Sequence, residues 1–321
     1  MNILVTGGMG FIGHNVVSFL EAQGHTCWIV DSGTNYGFVP KDEMAYLFAE
    51  RKKKFNANVH HIDIRDAGQG LNSMFITFHP EMVIHLASFP RQKIVSANPA
   101  WGSEVMSTGL VNLLECSKAH RIKKFIYISS SMVYGNFTDD VTEDFNCQPQ
   151  GQYGIMKYMG EKLVQDYTRR GCFDHVIIRP SAVYGEYDVE DRVVSKFMLS
   201  AMRGQTLKVN GAGETLDFTY VEDAAMGIVQ ATLSEQARNK VYNITKSHSH
   251  SLLDAAEMAV KIAGSGSIDC RAKDADFPSR GALNIDAARR DFGFDPKVDV
   301  EEGFRRYHKW FKESEFWKTK L

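Results

Sequence analysis

The sequence predicts an α/β protein built on a doubly wound parallel sheet, and three observations predict it. Short β-branched runs alternate with longer amphipathic stretches, the runs are apolar nearly throughout, and the first of them leads directly into a glycine-rich turn. The runs "NILVT", "TCWIV", "VHHIDI", "MVIHLAS", "KFIYISS" and "HVIIRP" read as strands. Continuous apolarity is what a strand needs when helices cover both faces of its sheet. After about residue 178 the alternation loosens into glycine-containing loops. There "YVEDAAMGIVQATL" reads as a helix and "KVYNIT" as a further strand. "SLLDAAEMAVKIAG" reads as a helix opened by a Ser251–Asp254 capping pattern and stopped at Gly264.

With 321 residues, 44% of them hydrophobic and 24% charged, the chain has material for a substantial core. Its net charge of -2, with the signs well mixed, leaves no electrostatic footprint for nucleic acid or a membrane surface, which points to a small-molecule partner. The run "RKKK" at 51–54 is offset by Glu43 and Glu50 and reads as a solvated helix face. Five scattered cysteines (Cys27, Cys116, Cys147, Cys172, Cys270) form no C-x-x-C pair, so neither a disulfide framework nor a zinc site is expected. "MNILVTGG" has no signal-peptide pattern, and no apolar run approaches the roughly 20 residues that span a bilayer. A reducing cytoplasm is the expected location.

"NILVTGGMGFIGHNVVSFLEAQG" runs from a strand through Gly7, Gly8, Gly10 and Gly13 into a helix whose Ile12, Val16, Phe19 and Leu20 share one face. Such a junction aims backbone N–H groups and a helix N-terminus at an anion, and its glycines let a pyrophosphate approach the main chain. The next strand ends in Asp31, 18 residues beyond Gly13. That is close to the roughly 20 expected for an acid that accepts from an adenosine ribose. A carboxylate there repels the 2′-phosphate of NADP, so NAD is the expected cofactor; a simple turn cap before "SGTN" is the alternative reading of Asp31.

The spacing T-G-G-x-G-F-I-G, then Asp31, then "DIRD" at 63–66, then "HLAS" at 85–88 resembles the extended short-chain dehydrogenase/reductase family, whose main members are nucleotide-sugar epimerases and dehydratases. The resemblance implies a Rossmann-type NAD-binding domain over 1–178 plus about 217–245. It implies a smaller C-terminal α/β substrate lobe over 179–216 and 246–321. By the same resemblance Gly7, Gly10, Phe11, Ile12 and Gly13 form the cofactor turn, Asp63 and Ile64 flank the adenine, and Leu86, Ala87 and Ser88 line the middle of the cofactor.

"YGIMKYMGEKLV" places Tyr153 and Lys157 four positions apart, on one face of a helix. A phenol titrates near pH 10, and acting as a base near neutrality requires lowering it by about three units. A neighbouring ammonium supplies part of that, and the positive nicotinamide ring of oxidised NAD is the natural second cation. Lys157 is also placed to hold the nicotinamide ribose. In the family the residue four before the V-Y-G tyrosine carries the catalytic hydroxyl; counting back from Tyr134 gives Ser130, with a positioning and electrostatic role. "IIRPSAVYG", "LDFTYVEDAA" and "FPSRGALNIDAARRDFGFDPKVDVEEGF" extend the resemblance through most of the chain. It implies that Pro180 and Val183 lie near the nicotinamide and that helices around 104–119 and 154–169 form a homodimer face.

Dehydratases and decarboxylases of this family carry acidic residues just after the catalytic Ser or Thr; Ser131 and Met132 stand there instead. The expected activity is an NAD-dependent nucleotide-sugar 4-epimerase working through a 4-keto intermediate, with a C4 dehydrogenase that releases the keto sugar as the alternative. A 4,6-dehydratase and a non-catalytic NAD sensor are further readings, and the retained Ser130, Tyr153 and Lys157 argue against the sensor. The chain departs from the epimerase pattern at Met106 and Gly109–Leu110, at Ser181 and at Leu216, where an Arg often meets the substrate diphosphate. Arg192 and Arg280 are the candidates for that grip, with a plain surface Arg as the alternative; Arg91, Ser131 and Ser181 are candidates for the sugar. The "SHSH" histidines at 248 and 250 lack partners at ligand spacing, so no metal is expected, and Cys147 has no matched base.

Overall fold

The computed structural model describes residues 1–66, 68–274 and 277–321. Seven strands form one parallel sheet: β1 (Asn2–Thr6), β2 (Thr26–Val30), β3 (Asn58–His60), β4 (Met82–His85), β5 (Lys124–Ile128), β6 (Asp174–Pro180) and β7 (Lys240–Ile244), in the order β7-β6-β5-β4-β1-β2-β3. Ile3, Leu4 and Val5 of β1 are completely buried because helices lie on both faces, which is why the strands read as unbroken apolar runs. The chain reverses direction of travel across the sheet between β1 and β4. A crevice opens there beyond the carboxyl ends of the strands, the place where open α/β sheets take ligands. The Gly7 N–H donates to the Val30 carbonyl at 2.8 Å and the Leu86 N–H to the Thr6 carbonyl at 2.9 Å, so both rims of the crevice are tied to the sheet.

The first helix, Gly13–Ala22, buries Val16, Val17 and Leu20 against the core of that face, the expected stripe. The long helix Gly151–Arg169 packs on the other face. It comes close because Gly160 has no side chain: a Cβ there would stand 2.1 Å from the Tyr127 hydroxyl of β5. Between β6 and β7, and again after β7, the chain builds a second core from Phe197, Met198, Leu199, Tyr220, Ala256, Phe304 and Phe311. It includes the helices Val193–Met202, Leu252–Ala263 and Val300–Glu313, and the parallel strand pair Thr206–Asn210 with Ser267–Arg271. Ser251 caps Leu252–Ala263 in a full capping box with Asp254, and Gly264 ends it with φ 74°. Among the described residues no helix is long and apolar enough to cross a membrane.

The run at 51–54 departs from expectation. Lys52, Lys53 and Lys54 are exposed, but Arg51 is only 3% exposed. The helix Lys41–Lys52 turns Glu43, Leu47 and Arg51, spaced four apart, toward the interior. Arg51 there donates to the Met9 carbonyl at 3.1 Å and to the Tyr187 carbonyl at 2.6 Å, joining the glycine turn to the loop after β6.

Candidate active site

The candidate cofactor, catalytic and substrate residues line one cleft of about 1090 Å³ at this crevice, Arg192 and Arg280 among them. Gly7, Gly10, Phe11, Ile12 and Gly13 form its floor beside Asp31. Two glycines are required by contact. A Cβ on Gly13 would stand 2.2 Å from the Gly7 carbonyl oxygen, and one on Gly7, at φ 73°, would stand 2.6 Å from the Ala87 nitrogen. Asp31 accepts from the Met9 N–H at 3.0 Å and the Gly33 N–H at 2.9 Å. Burial pushes its carboxyl up, while those two N–H groups and the Arg51 guanidinium oppose the shift. Asp63 and Ile64 follow on the same side; Arg65 pairs with Asp63 at 2.7 Å and holds its carboxyl below the usual range. Leu86, Ala87 and Ser88 lie across from the glycine turn, and Pro180, Ser181 and Val183 close the cleft from the end of β6.

At the centre stand Ser130, Tyr153 and Lys157. Ser130 follows β5 and caps a short 3-10 turn, Ser131–Tyr134, by accepting from the Met132 N–H at 3.2 Å. Its side chain lines the same cleft as the Tyr153 phenol and acts to lower it. Ser131 donates to Ser181 at 3.1 Å, which joins the ends of β5 and β6. The Tyr153 backbone N–H, in the unsatisfied first turn of its helix, donates to the side-chain carbonyl of Gln92 at 3.0 Å.

The expected electrostatics of the pair need correction. Lys157 Nζ lies 5.8 Å from the centre of the Tyr153 ring and donates to the Ile128 carbonyl at 2.8 Å. Burial lowers Lys157 to about 7, with Glu161 opposing. Burial is also the largest influence on Tyr153 and pushes its phenol up, against Arg192 and the Ser130 side chain. In the free protein both groups thus lean toward their neutral forms. Desolvation outweighs the attraction that four-residue spacing alone suggests.

Of the arginines, Arg91 is committed to Asp191, donating to its carbonyl at 2.6 Å and pairing with its carboxylate at 2.7 Å. Arg192 keeps more freedom, with a 3.6 Å ion pair to Asp188. Arg280 carries a buried Nε without a hydrogen-bond partner among the described residues, and burial lowers its guanidinium to about 10. Leu216 also faces the cleft.

Sequence reasoning missed Gln92, Arg51 and the pair behind Ser130. Glu161 and Arg179, both buried, meet at 2.7 Å, and Glu161 also accepts from Ser129 at 2.6 Å. The signal for Glu161 was present: it lies one further four-residue step along the face of Tyr153 and Lys157.

A family model, NAD dependent epimerase/dehydratase family, matches residues 3–245. A putative UDP-glucose 4-epimerase of Methanocaldococcus jannaschii is 30% identical over 97% of this chain and 98% of its own length. A UDP-glucuronate 4-epimerase of Thermodesulfobacterium geofontis is 28% identical over 97% and 96%. Among solved structures, UDP-glucuronic acid 4-epimerase from Bacillus cereus in complex with UDP-glucuronic acid and NAD is similar at a TM-score of 0.88 and 26% identity, covering 98% of this chain and 99% of that one. With a Rossmann-type sheet, a glycine turn at its switch point and these matches along nearly its whole length, the chain belongs to the NAD-dependent epimerase/dehydratase family, whose cofactor is NAD.

Proposed function

We propose that this cleft is the active site of a nucleotide-sugar 4-epimerase that works through a 4-keto sugar. The observation that carries the reading is that Ser130, Tyr153 and buried Lys157 line the same cleft as a glycine turn that admits no Cβ. The residues present fit NAD: the turn from Gly7 to Gly13 leaves main chain bare for a pyrophosphate, and Asp31 offers carboxylate oxygens for ribose hydroxyls. When bound, NAD supplies the acceptor and the donor of one hydride.

The chain's own groups do the rest. Ser130 hydrogen-bonds the sugar C4 oxygen and aligns it with Tyr153, and the Tyr153 oxygen takes the C4 hydroxyl proton and later returns it. Because burial alone pushes the phenol up, its activation depends on positive charge arriving with the ligands and on a Lys157 kept protonated. Return of the hydrogen to the other face of C4 inverts that centre. Arg280, whose Nε has no hydrogen-bond partner among the described residues, and Arg192 are the diphosphate grip, with Leu216 standing where an Arg often does. Arg91 acts through Asp191 to hold the sugar side of the cleft, next to Ser131 and Ser181. The helices Gly109–Ala119 and Gly151–Arg169 form a homodimer face, on which Ile155 stands 53% exposed.

The test is incubation with NAD and UDP-, GDP-, CDP- and dTDP-sugars, followed by NMR. Inversion at C4 without net NADH is the expected result; stoichiometric NADH identifies a C4 dehydrogenase, and no conversion of any sugar contradicts an enzymatic role. Asp31 is tested separately. Asp31→Ala is expected to weaken NAD binding by roughly 10-fold or more, the loss of a charged acceptor, and to narrow the preference for NAD over NADP. Unchanged affinities for both dinucleotides in a fluorescence titration would place Asp31 outside the ribose site.

A further inference from the structure

Among the buried carboxylates to which the mechanism gives no role, Glu161 stands nearest to the reacting groups in the chain. Glu161 is completely buried, one helical turn past Lys157. It accepts from the Ser129 hydroxyl at 2.6 Å, from Arg179 Nε at 2.9 Å and from Arg179 Nη2 at 2.7 Å. Ser129 precedes Ser130, Arg179 precedes Pro180 and Ser181, and Lys157 lies on the same helix as Glu161. One side chain thereby joins the three elements whose ends build the site. We propose that Glu161 is a positioning residue for this reaction: it fixes the Ser130 strand end against the Tyr153 helix and supplies the carboxylate that faces Lys157.

The proposal rests on the reading of Ser130, Tyr153 and Lys157 as the reacting groups. It is sharpened by what else surrounds them. From β4, His85 faces Lys157 and is held neutral at about 3 by burial and by Lys157 itself. From β5, the Tyr127 ring lies 5.4 Å from Lys157 Nζ with its phenol pushed up by burial. From β6, His175 faces Glu161 and is lowered to about 4 by burial. The Tyr134 phenol, which accepts from Arg179 at 2.9 Å, and the Cys147 thiol are both pushed up by burial. Glu143 gives its backbone carbonyl to Arg179 at 3.0 Å, and burial pushes its carboxyl up. Tyr153 completes the set on the helix itself. Of the charged groups around Lys157, the Glu161 carboxylate is the one that opposes its lowering by burial. Burial takes the Lys157 ammonium down to about 7 even with Glu161 in place. Removing the carboxylate's charge lowers it further.

Glu161→Gln keeps the shape and the Ser129 contact while removing the charge. With the nucleotide sugar found active in the NMR screen, kcat is expected to fall roughly 10- to 100-fold with KM nearly unchanged. The alkaline limb of the kcat profile, which reports loss of the Lys157 proton, is expected to move about one unit toward acid. Glu161→Asp, which retains the charge, is expected to keep the limb in place. A wild-type kcat, or a lower kcat with an unmoved limb in Glu161→Gln, overturns the proposal. If Glu161→Gln does not fold, Ser129→Ala decides: kcat is expected to fall about 3- to 10-fold with the limb unmoved, and wild-type kcat overturns the positioning role. Tyr153→Phe measured alongside separates the two readings, because its retained activity removes the reacting groups themselves whatever Glu161 does.

Discussion

Tyr153→Phe is expected to lose turnover by about 10²- to 10⁴-fold, the span of a positioned acid–base group, while binding NAD as the parent protein does. The substitution removes the phenol oxygen alone, leaving the ring in place with its centre 5.8 Å from Lys157 Nζ. Lowering a phenol to neutrality needs about 4 kcal/mol, and in the free protein burial moves Tyr153 the other way. The residue is thus silent until ligands fill the cleft. A matching expectation is that no phenolate signal appears near neutral pH in ultraviolet difference spectra of the free enzyme. Full activity of Tyr153→Phe in the NMR assay would leave the site without its base.

Gly13→Ala is expected to abolish measurable NAD binding. Its Cβ would fall 2.2 Å from the Gly7 carbonyl oxygen and 2.8 Å from the Gly8 Cα, both main-chain atoms held by the turn. No rotamer change relieves such a contact, so the turn must open and the first helix must shift away from the β1 end. The cost falls on both fold and ligand, on the order of 1–3 kcal/mol of overpacking plus the loss of the N–H groups aimed at the pyrophosphate. Isothermal titration checks the affinity and a thermal melt checks the fold. An alanine variant that binds NAD at parent strength would show that the pyrophosphate does not rest on this turn.

Much of this architecture is legible in the residues, for identifiable reasons. β1, β4 and β5 can be read because a strand covered on both faces is apolar through its middle, with polar residues such as Thr6, His85 and Lys124 only at its ends. The helix Leu252–Ala263 can be read to its ends because Ser251, Asp254 and Gly264 signal both termini locally. Charge placement is harder. Arg51 sits in a run of four basic residues, and its burial shows only when Glu43, Leu47 and Arg51 are taken as one inward stripe. The Glu161–Arg179 pair joins a helix to a strand, so nothing near either residue announces the other. Lys157 illustrates the limit best. Its spacing from Tyr153 is a local fact, but the direction of its ammonium toward Ile128 and the lowering of its protonation come from the β5 backbone and from burial, which only the assembled fold supplies. Gln92 belongs with these, since its contact with the Tyr153 N–H crosses from the segment after β4 to the start of the helix.

The central claim is that one hydrogen leaves C4 of the sugar as hydride and returns to the same carbon while Tyr153 handles the hydroxyl proton. The most direct measurement is conversion of a nucleotide sugar deuterated at C4, in ordinary water, with the product read by NMR and mass spectrometry. Retention of the deuterium at C4 of the inverted product is the predicted result. Inversion with the deuterium replaced by hydrogen from water would contradict it.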